Sequence, residues 1–501
     1  MTGSAPPEFR GAPTGGRARG EGVTYLIEAD AAEPPRGAAA PAWVAEARAT
    51  MRLAWPLIVA QLATIALSTT DVLFLGVLGP EALASGSLAV SFLFPFLMFG
   101  TGVVMAASPL IAQAVGGRRP RDVRRTARQG LWMALALSLP LVPAVAAGGL
   151  WLRLLGQEAP IAAGAGDYLK WAAWMFPSAL MFVVLRGVVA ALGETGVVLW
   201  IALAGVLCNA GLDWLLMFGR FGAPRLELAG VGIATAATHA LMFGLLLAHV
   251  GRRSPYRRYR VLGRFLRPDW ARFRAIWSLG APIGLTLAAE SGLFAAAALL
   301  MGWIGADALA AHAVALQLAA LAFMVPLGLS HATTVRVGLA HGGGADAGRA
   351  GWTSIGLALG FMSVTATLFW LAPGALIGLF LDPTEPEAAR PAALAASFLA
   401  IAALFQLADG AQVTAAAALR GLSDTRAPMA IALFGYWGVG LPTAWLLAFP
   451  MGLGGVGVWL GLAAGLGFAA ATLAFRFARR DRVLLRRKQA QKRFPLSPAL
   501  H

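Results

Sequence analysis

The chain has 501 residues, of which 58% are hydrophobic and 13% charged, about half the charged share of an ordinary soluble domain. That balance excludes a soluble globular fold: the uncharged runs at 82–117, 351–381 and 429–475 read as membrane-spanning, since a helix crosses a bilayer with roughly 20 apolar residues. The net charge of +16 does not read as nucleic-acid binding, because the basic residues gather in GGRRPRDVRRTARQ, in GRRSPYRRYRVLGRFLRPDWARFR and in the tail from Arg476, each flanking an apolar run.

Residues 1–42, rich in Ala, Gly, Pro and Arg, read as a disordered cytosolic arm without a cleavable signal peptide. WVAEARATMRLAWP reads as a short amphipathic helix along the inner interface. Twelve spans follow, near 53–78, 87–115, 129–152, 166–189, 196–219, 229–250, 279–303, 308–336, 351–380, 393–418, 428–449 and 454–476. The expected units are an N-lobe over 43–250, a basic cytoplasmic linker over 251–278, a C-lobe over 279–478 and a basic cytoplasmic tail over 479–501. With both termini in the cytoplasm, every strongly basic segment falls inside, and the short loops GPEALASG, GQEAPIAAGAGD and DPTEPEAARP fall outside. This is the topology of a bacterial inner-membrane protein.

The chain repeats itself. WPLIVAQLATIALSTTDVLFLGVLGPEALA aligns with APIGLTLAAESGLFAAAALLMGWIGADALA at an offset of 226, pairing Pro56 with Pro282, Gly79 with Gly305, Gly102 with Gly328 and Gly116 with Gly342. Each half holds six spans and is entered from the same side. The halves are therefore parallel repeats about an axis along the membrane normal, a design that encloses a central cavity.

Three carboxylates sit alone in apolar spans: Asp71, Glu290 and Asp409. A charge at bilayer depth costs several kcal/mol unless it faces a cavity, a cation or a proton path, so each is a candidate functional residue. At the repeat offset Asp71 corresponds to Ala297 and Glu290 to Thr64, which points to two different sites on a duplicated scaffold. The first groups Asp71 with Asn209 and Asp213, four apart on one helix face, and with Thr235. Their oxygens suit a hard cation, and two close carboxylates equally suit a shared proton. Two simpler roles compete: Asp213 as an interfacial residue near a span end, and Thr235 as a hydroxyl bonded to its own helix. The second groups Glu290 and Asp409 near the midplane, with Arg336 and Arg420 both at cytoplasmic span ends. His239 and His312 read as packing residues. Cys208, the single cysteine, offers neither a disulfide nor a thiolate metal site.

TTDVLFLGVLG, RGVVAALGETG, NAGLD with GVGIAT, GAPIGLTLAAESGLF, LAAHAVALQ and LADGAQVTAAAALRGLSDTR, in this order and spacing, resemble the MATE (multidrug and toxic compound extrusion) transporters, NorM-like members in particular, over residues 48–478. The resemblance implies an all-α membrane protein of twelve transmembrane helices, in two six-helix bundles around a V-shaped cavity. It also implies export of small, cationic, aromatic organic compounds against H+ or Na+, with no cofactor, by a monomer. Carried over by position, Asp71, Asn209, Asp213 and Thr235 resemble the family's N-lobe cation ligands, including those of a Na+ site, and Glu290 and Asp409 its C-lobe acids. Phe405 stands where some NorM-like proteins have Tyr.

Three other readings compete. A lipid-linked oligosaccharide flippase of the same broader superfamily would carry basic residues in its cavity, whereas these spans hold acids and almost no Lys or Arg. A major-facilitator symporter shares the twelve parallel spans but not the motifs. A membrane-embedded enzyme would need a nucleophile–base or metal pattern, and neither HExxH nor GxSxG occurs.

Overall fold

The computed structural model describes residues 41–481 except 223, 255, 260, 262, 264 and 382–385. Most of the expected N-terminal arm and basic tail lies outside the described residues. Eleven helices are long and apolar enough to span a membrane, and two further helices bent by 48° form a twelfth span. They are α1 Ala42–Leu78, α2 Pro80–Gly116, α3 Pro120–Ala146, α4 Ala159–Ala172 with Met175–Ala191, α5 Gly196–Phe218, α6 Glu227–Arg252, α7 Trp270–Ile304, α8 Ala306–Gly343, α9 Ala347–Leu371, α10 Ala388–Gly421, α11 Arg426–Ala448 and α12 Gly454–Ala478.

Local chemistry sets several boundaries. Pro80 and Pro120 stand in the first helical turns of α2 and α3, where a missing N–H costs nothing. Asp269 caps α7 by accepting from the Arg272 backbone N–H, and Asp346 caps α9 through Gly348 and Arg349. Two expectations change. The stretch read as a separate interfacial helix is continuous with α1, because nothing in WVAEARATMRLAWP stops a helix once Pro56 is tolerated within a packed span. The loop expected at GPEALASG shrinks to Gly79. This residue turns the chain at φ 115, as Gly305 does at φ 147 in the second half, a conformation that any side chain strains.

The repeat organises the packing. A side chain on Gly102 would collide with the Gly284 backbone, and one on Gly328 with the Ile58 backbone. These two contacts are each other's image under the 226 shift. Likewise Gly116 abuts Leu339, and Gly342 abuts Gln113. Small residues at such crossings let backbones approach where apolar burial against lipid offers no drive.

The apolar cores show where the bundles join and part. Ile276, Ile283, Leu329, Ala332 and Val335, on the halves of α7 and α8 nearer the basic loops, belong to the core of the first bundle. Leu293, Ala297, Leu300, Ala311, Ala315 and Leu318, on the opposite halves, belong to the core of the second. The bundles therefore close on each other at the basic end and diverge toward the other, which is the V shape.

Three ion pairs clasp that basic end. Arg336 on α8 grips Glu46 on α1, Arg272 on α7 holds Asp122 on α3 at 2.8 Å, and Arg125 on α3 holds Asp269 at 2.6 Å. The linker after α6 is also tied down. Tyr256 donates to Glu194 at 3.0 Å, and the Trp132 indole donates to the Phe265 carbonyl at 2.9 Å. Burial and the neighbouring Glu194 carboxylate push the Tyr256 hydroxyl pKa well up, so it remains a donor.

Candidate functional site

The first cluster forms where α1, α4, α5 and α6 converge. Asp71 comes from α1, Asn209 and Asp213 from successive turns of α5, and Thr235 from α6. None of the four is more than 6% exposed, and Asp213 is fully buried, so it faces the interior of the bundle. The Asp71 carboxyl faces Asp213 and the Asn209 amide directly. Yet Oδ1 of Asp71, both oxygens of Asp213 and both polar atoms of the Asn209 amide complete no hydrogen bond among the described residues. Two facing carboxylates can bond only through a shared proton or a shared cation. A buried polar group left without either costs about 1–3 kcal/mol, and a charged one more.

The Thr235 hydroxyl donates to the Val231 carbonyl at 2.9 Å. Its own proton is thus used within the helix, as the simpler reading had it, and only its lone pairs face the cluster. The sequence reading missed Tyr168. This buried residue, at the end of the first half of α4, presents its hydroxyl to Thr235 and to the field of Asp71 and Asp213. In GDYLKWAAW it looks like one more interfacial aromatic. The Gly232 position explains its approach, since a side chain there would meet the Tyr168 backbone. His239 stands one turn from Thr235, its Nδ1 2.9 Å from the Thr235 carbonyl oxygen.

The second cluster belongs to α7, α10 and α11. Asp409 is 5% exposed and lies in the field of Glu290, with its Oδ1 unpartnered among the described residues. Sequence reasoning also missed Tyr436. It sits in a π-helical turn, Phe434–Gly440, inside α11, a local widening that often re-aims a residue at functional sites. Its oxygen accepts from Gln412 Nε2 at 2.7 Å, which leaves its proton free to donate, and both carboxylates act on it. Trp437, next in the turn, ties α11 to α7 beside Glu290 by donating to the Ala289 carbonyl at 3.2 Å. Phe405 packs edge-on against Phe294 and Trp459, so the phenolic oxygen near this cluster comes from Tyr436 on a different helix.

Arg420 stands in the last turn of α10, at the span end expected of it, yet its charge acts on Glu290 and Tyr436, with no ion pair among the described residues. The reason is geometric. Side chains on a helix lean toward its N-terminus, so an arginine in the last turn of α10 projects back into the membrane. With Arg186 of α4, His331, Thr334, Ser108 and Leu57 it lines a cavity between the bundles. The spans thus carry more buried basic character than the sequence reading allowed.

Among the described residues, no group of three or more His, Cys, Asp or Glu side chains forms a transition-metal site. Carboxylate, amide and hydroxyl oxygens of the first cluster suit a hard monovalent cation or a proton.

The MatE family profile matches twice, over residues 56–215 and 282–446, the two matches starting at the proline pair Pro56 and Pro282. A probable multidrug resistance protein NorM from Mesorhizobium japonicum is 49% identical over 453 residues, covering 89% of this chain and 97% of its own length. Its namesake from Pseudomonas aeruginosa is 44% identical over 441 residues, covering 86% and 89%. Among solved structures, the eukaryotic MATE transporter AtDTX14 superposes with a TM-score of 0.77 at 21% identity, covering 88% of this chain and 99% of that one. An outward-facing multidrug resistance MATE family transporter superposes with 0.78 at 20% identity, covering 88% and 96%. At these identities the structures speak for the fold.

Proposed function

The chain belongs to the MatE family, and from that premise we propose that it is an antiporter, exporting small organic cations in exchange for H+ or Na+ by alternating access. It is a multi-pass membrane transporter of the multidrug-efflux kind and not an enzyme. The observation that carries the coupling is the buried meeting of Asp71, Asp213 and Asn209, whose oxygens and amide nitrogen complete almost no hydrogen bonds among the described residues. A proton or a Na+ ion neutralises the two carboxylates and lets α1, α5 and α6 draw together. A ligand shifts a two-state equilibrium only if it binds one state better, so the cluster must be more open in the alternate state.

In this reading Glu290 and Asp409 receive the cationic cargo by charge complementarity, and the protein acts as a monomer in a bacterial inner membrane. The basic end, where the bundles close, is cytoplasmic, and the V opens outward. The deciding experiment is efflux of a fluorescent cationic dye from proteoliposomes, with Na+ and pH gradients imposed separately. One gradient should drive efflux of wild type and fail to drive Asp71→Asn. Efflux indifferent to both gradients would overturn the coupling.

A further inference from the structure

We infer that the cavity between the bundles is an anion subsite, in which Arg186, Arg420 and His331 hold a carboxylate group. A guanidinium stays charged throughout the accessible pH range. Arg420 is only 9% exposed, and its Nε has no hydrogen-bond partner among the described residues. Among the described residues Arg186 reaches Gln61 Oε1 at 3.4 Å and His331 Nε2 at 3.5 Å, both at the limit of hydrogen bonding. Among the described residues neither arginine makes an ion pair, while arginines at the rim, such as Arg272, Arg336 and Arg476, each have a carboxylate within 2.8 Å. Glu290 acts on Arg420 from a distance, and no carboxylate among the described residues acts on Arg186.

Withdrawing an ion from water without a partner costs several kcal/mol. Two such cations on one cavity wall make an anion the natural occupant. His331 lies in the field of both arginines, which fixes the middle of the site, and Ser108 lines the same space. The guanidinium fork matches the planar, two-oxygen geometry of a carboxylate. Leu57, Met105, Val183 and Val335 supply apolar wall for the body that carries it. The carboxylate can come from a free organic acid or from a cargo that bears one. The site itself stands on the cavity, and only the second source rests on the efflux reading.

The test uses the full chain in lipid nanodiscs, titrated calorimetrically with benzoate and, as a neutral control, benzamide. Benzoate should bind saturably and benzamide should not. Arg186→Gln and Arg420→Gln should each weaken benzoate at least tenfold, and Arg420→Lys should keep part of the affinity. Melting temperatures close to wild type qualify the variants as folded, and the wild-type titration decides on its own if they are not. No benzoate binding to wild type, equal binding of benzamide, or undiminished binding in both folded Gln variants overturns the site. A second arm compares efflux of a xanthene dye carrying a free carboxyl with that of its ethyl ester. Selective loss of the acid form in Arg420→Gln identifies the cargo as the source, and equal behaviour of the two dyes identifies a free acid. If neither dye is exported, the efflux reading fails while the titration still decides the anion site.

Discussion

Arg336 on α8 donates to both oxygens of Glu46 at the start of α1, through Nε at 2.9 Å and through a terminal nitrogen at 2.7 Å. The pair joins the first helix of one bundle to the second helix of the other, and both side chains are largely shielded from solvent. A two-point arginine–carboxylate bond of this kind is geometrically specific. Removing one partner costs about 1.5–3 kcal/mol, enough to shift a balanced equilibrium tenfold or more. Glu46→Gln should therefore populate the state open at the basic end. Spin labels at Arg119 and Ala345, both exposed there, should move apart in that variant and return when Glu46→Arg is combined with Arg336→Glu. An unchanged distance distribution would show that the pair does not hold the closure.

The glycine crossings make a second, independent prediction about the same closure. Gly102→Leu on α2 should clash with the Gly284 backbone on α7, and Gly328→Leu on α8 with the Ile58 backbone on α1. Because the two sites are images under the repeat, both variants should open the basic end to a similar degree. Overpacking of a tight contact typically costs about 1–3 kcal/mol. A large effect at one site and none at the other would contradict the pseudo-two-fold closure.

In the first bundle, Asp71→Asn removes one of the two carboxylates and should abolish gradient-driven efflux while leaving dye binding measurable. Tyr168→Phe is the finer probe. Loss of one hydroxyl at an ion site should lower apparent coupling-ion affinity about five- to thirtyfold, following about 1–2 kcal/mol for a hydrogen bond near charge. The driving-ion concentration for half-maximal efflux checks this, and an unchanged value would confine Tyr168 to packing.

In the second bundle, Tyr436→Phe leaves the Gln412 amide without its acceptor and the carboxylates without a nearby donor. Stability should fall by about 1–3 kcal/mol, read as a lower melting temperature. Glu290→Gln and Asp409→Asn should instead depress efflux with little change in melting temperature, because each removes a charge and keeps the shape. Wild-type efflux in both carboxylate variants would remove this cluster from the transport path.

Topology is testable with the single native thiol, Cys208, replaced by alanine. A cysteine at Gln157 should react with an impermeant reagent from outside intact cells, and one at Arg253 only after permeabilisation. The reverse pattern would invert the assignment of the basic end.

Charge and hydropathy determined most of the architecture without a structure. Uncharged runs long enough to cross a bilayer, basic loops between them and a 226-residue offset leave little besides twelve helices in two parallel halves. The lone acids Asp71, Glu290 and Asp409 were legible because a carboxylate in an apolar run is costly enough to need a reason. Tyr168 and Tyr436 were not, since a tyrosine near apolar residues is ordinary and carries no such penalty. The close packing of Gly232 against the Tyr168 backbone and the π turn in α11 place the two residues at the clusters. Arg420 was legible as a residue but not as a position. A span end reads as solvent in one dimension, whereas the N-terminal lean of helical side chains turns it toward Glu290 and Arg186. Which end of the V is closed was likewise left to tertiary contacts, because the glycine crossings and the Glu46–Arg336 pair join residues hundreds of positions apart that no local pattern connects.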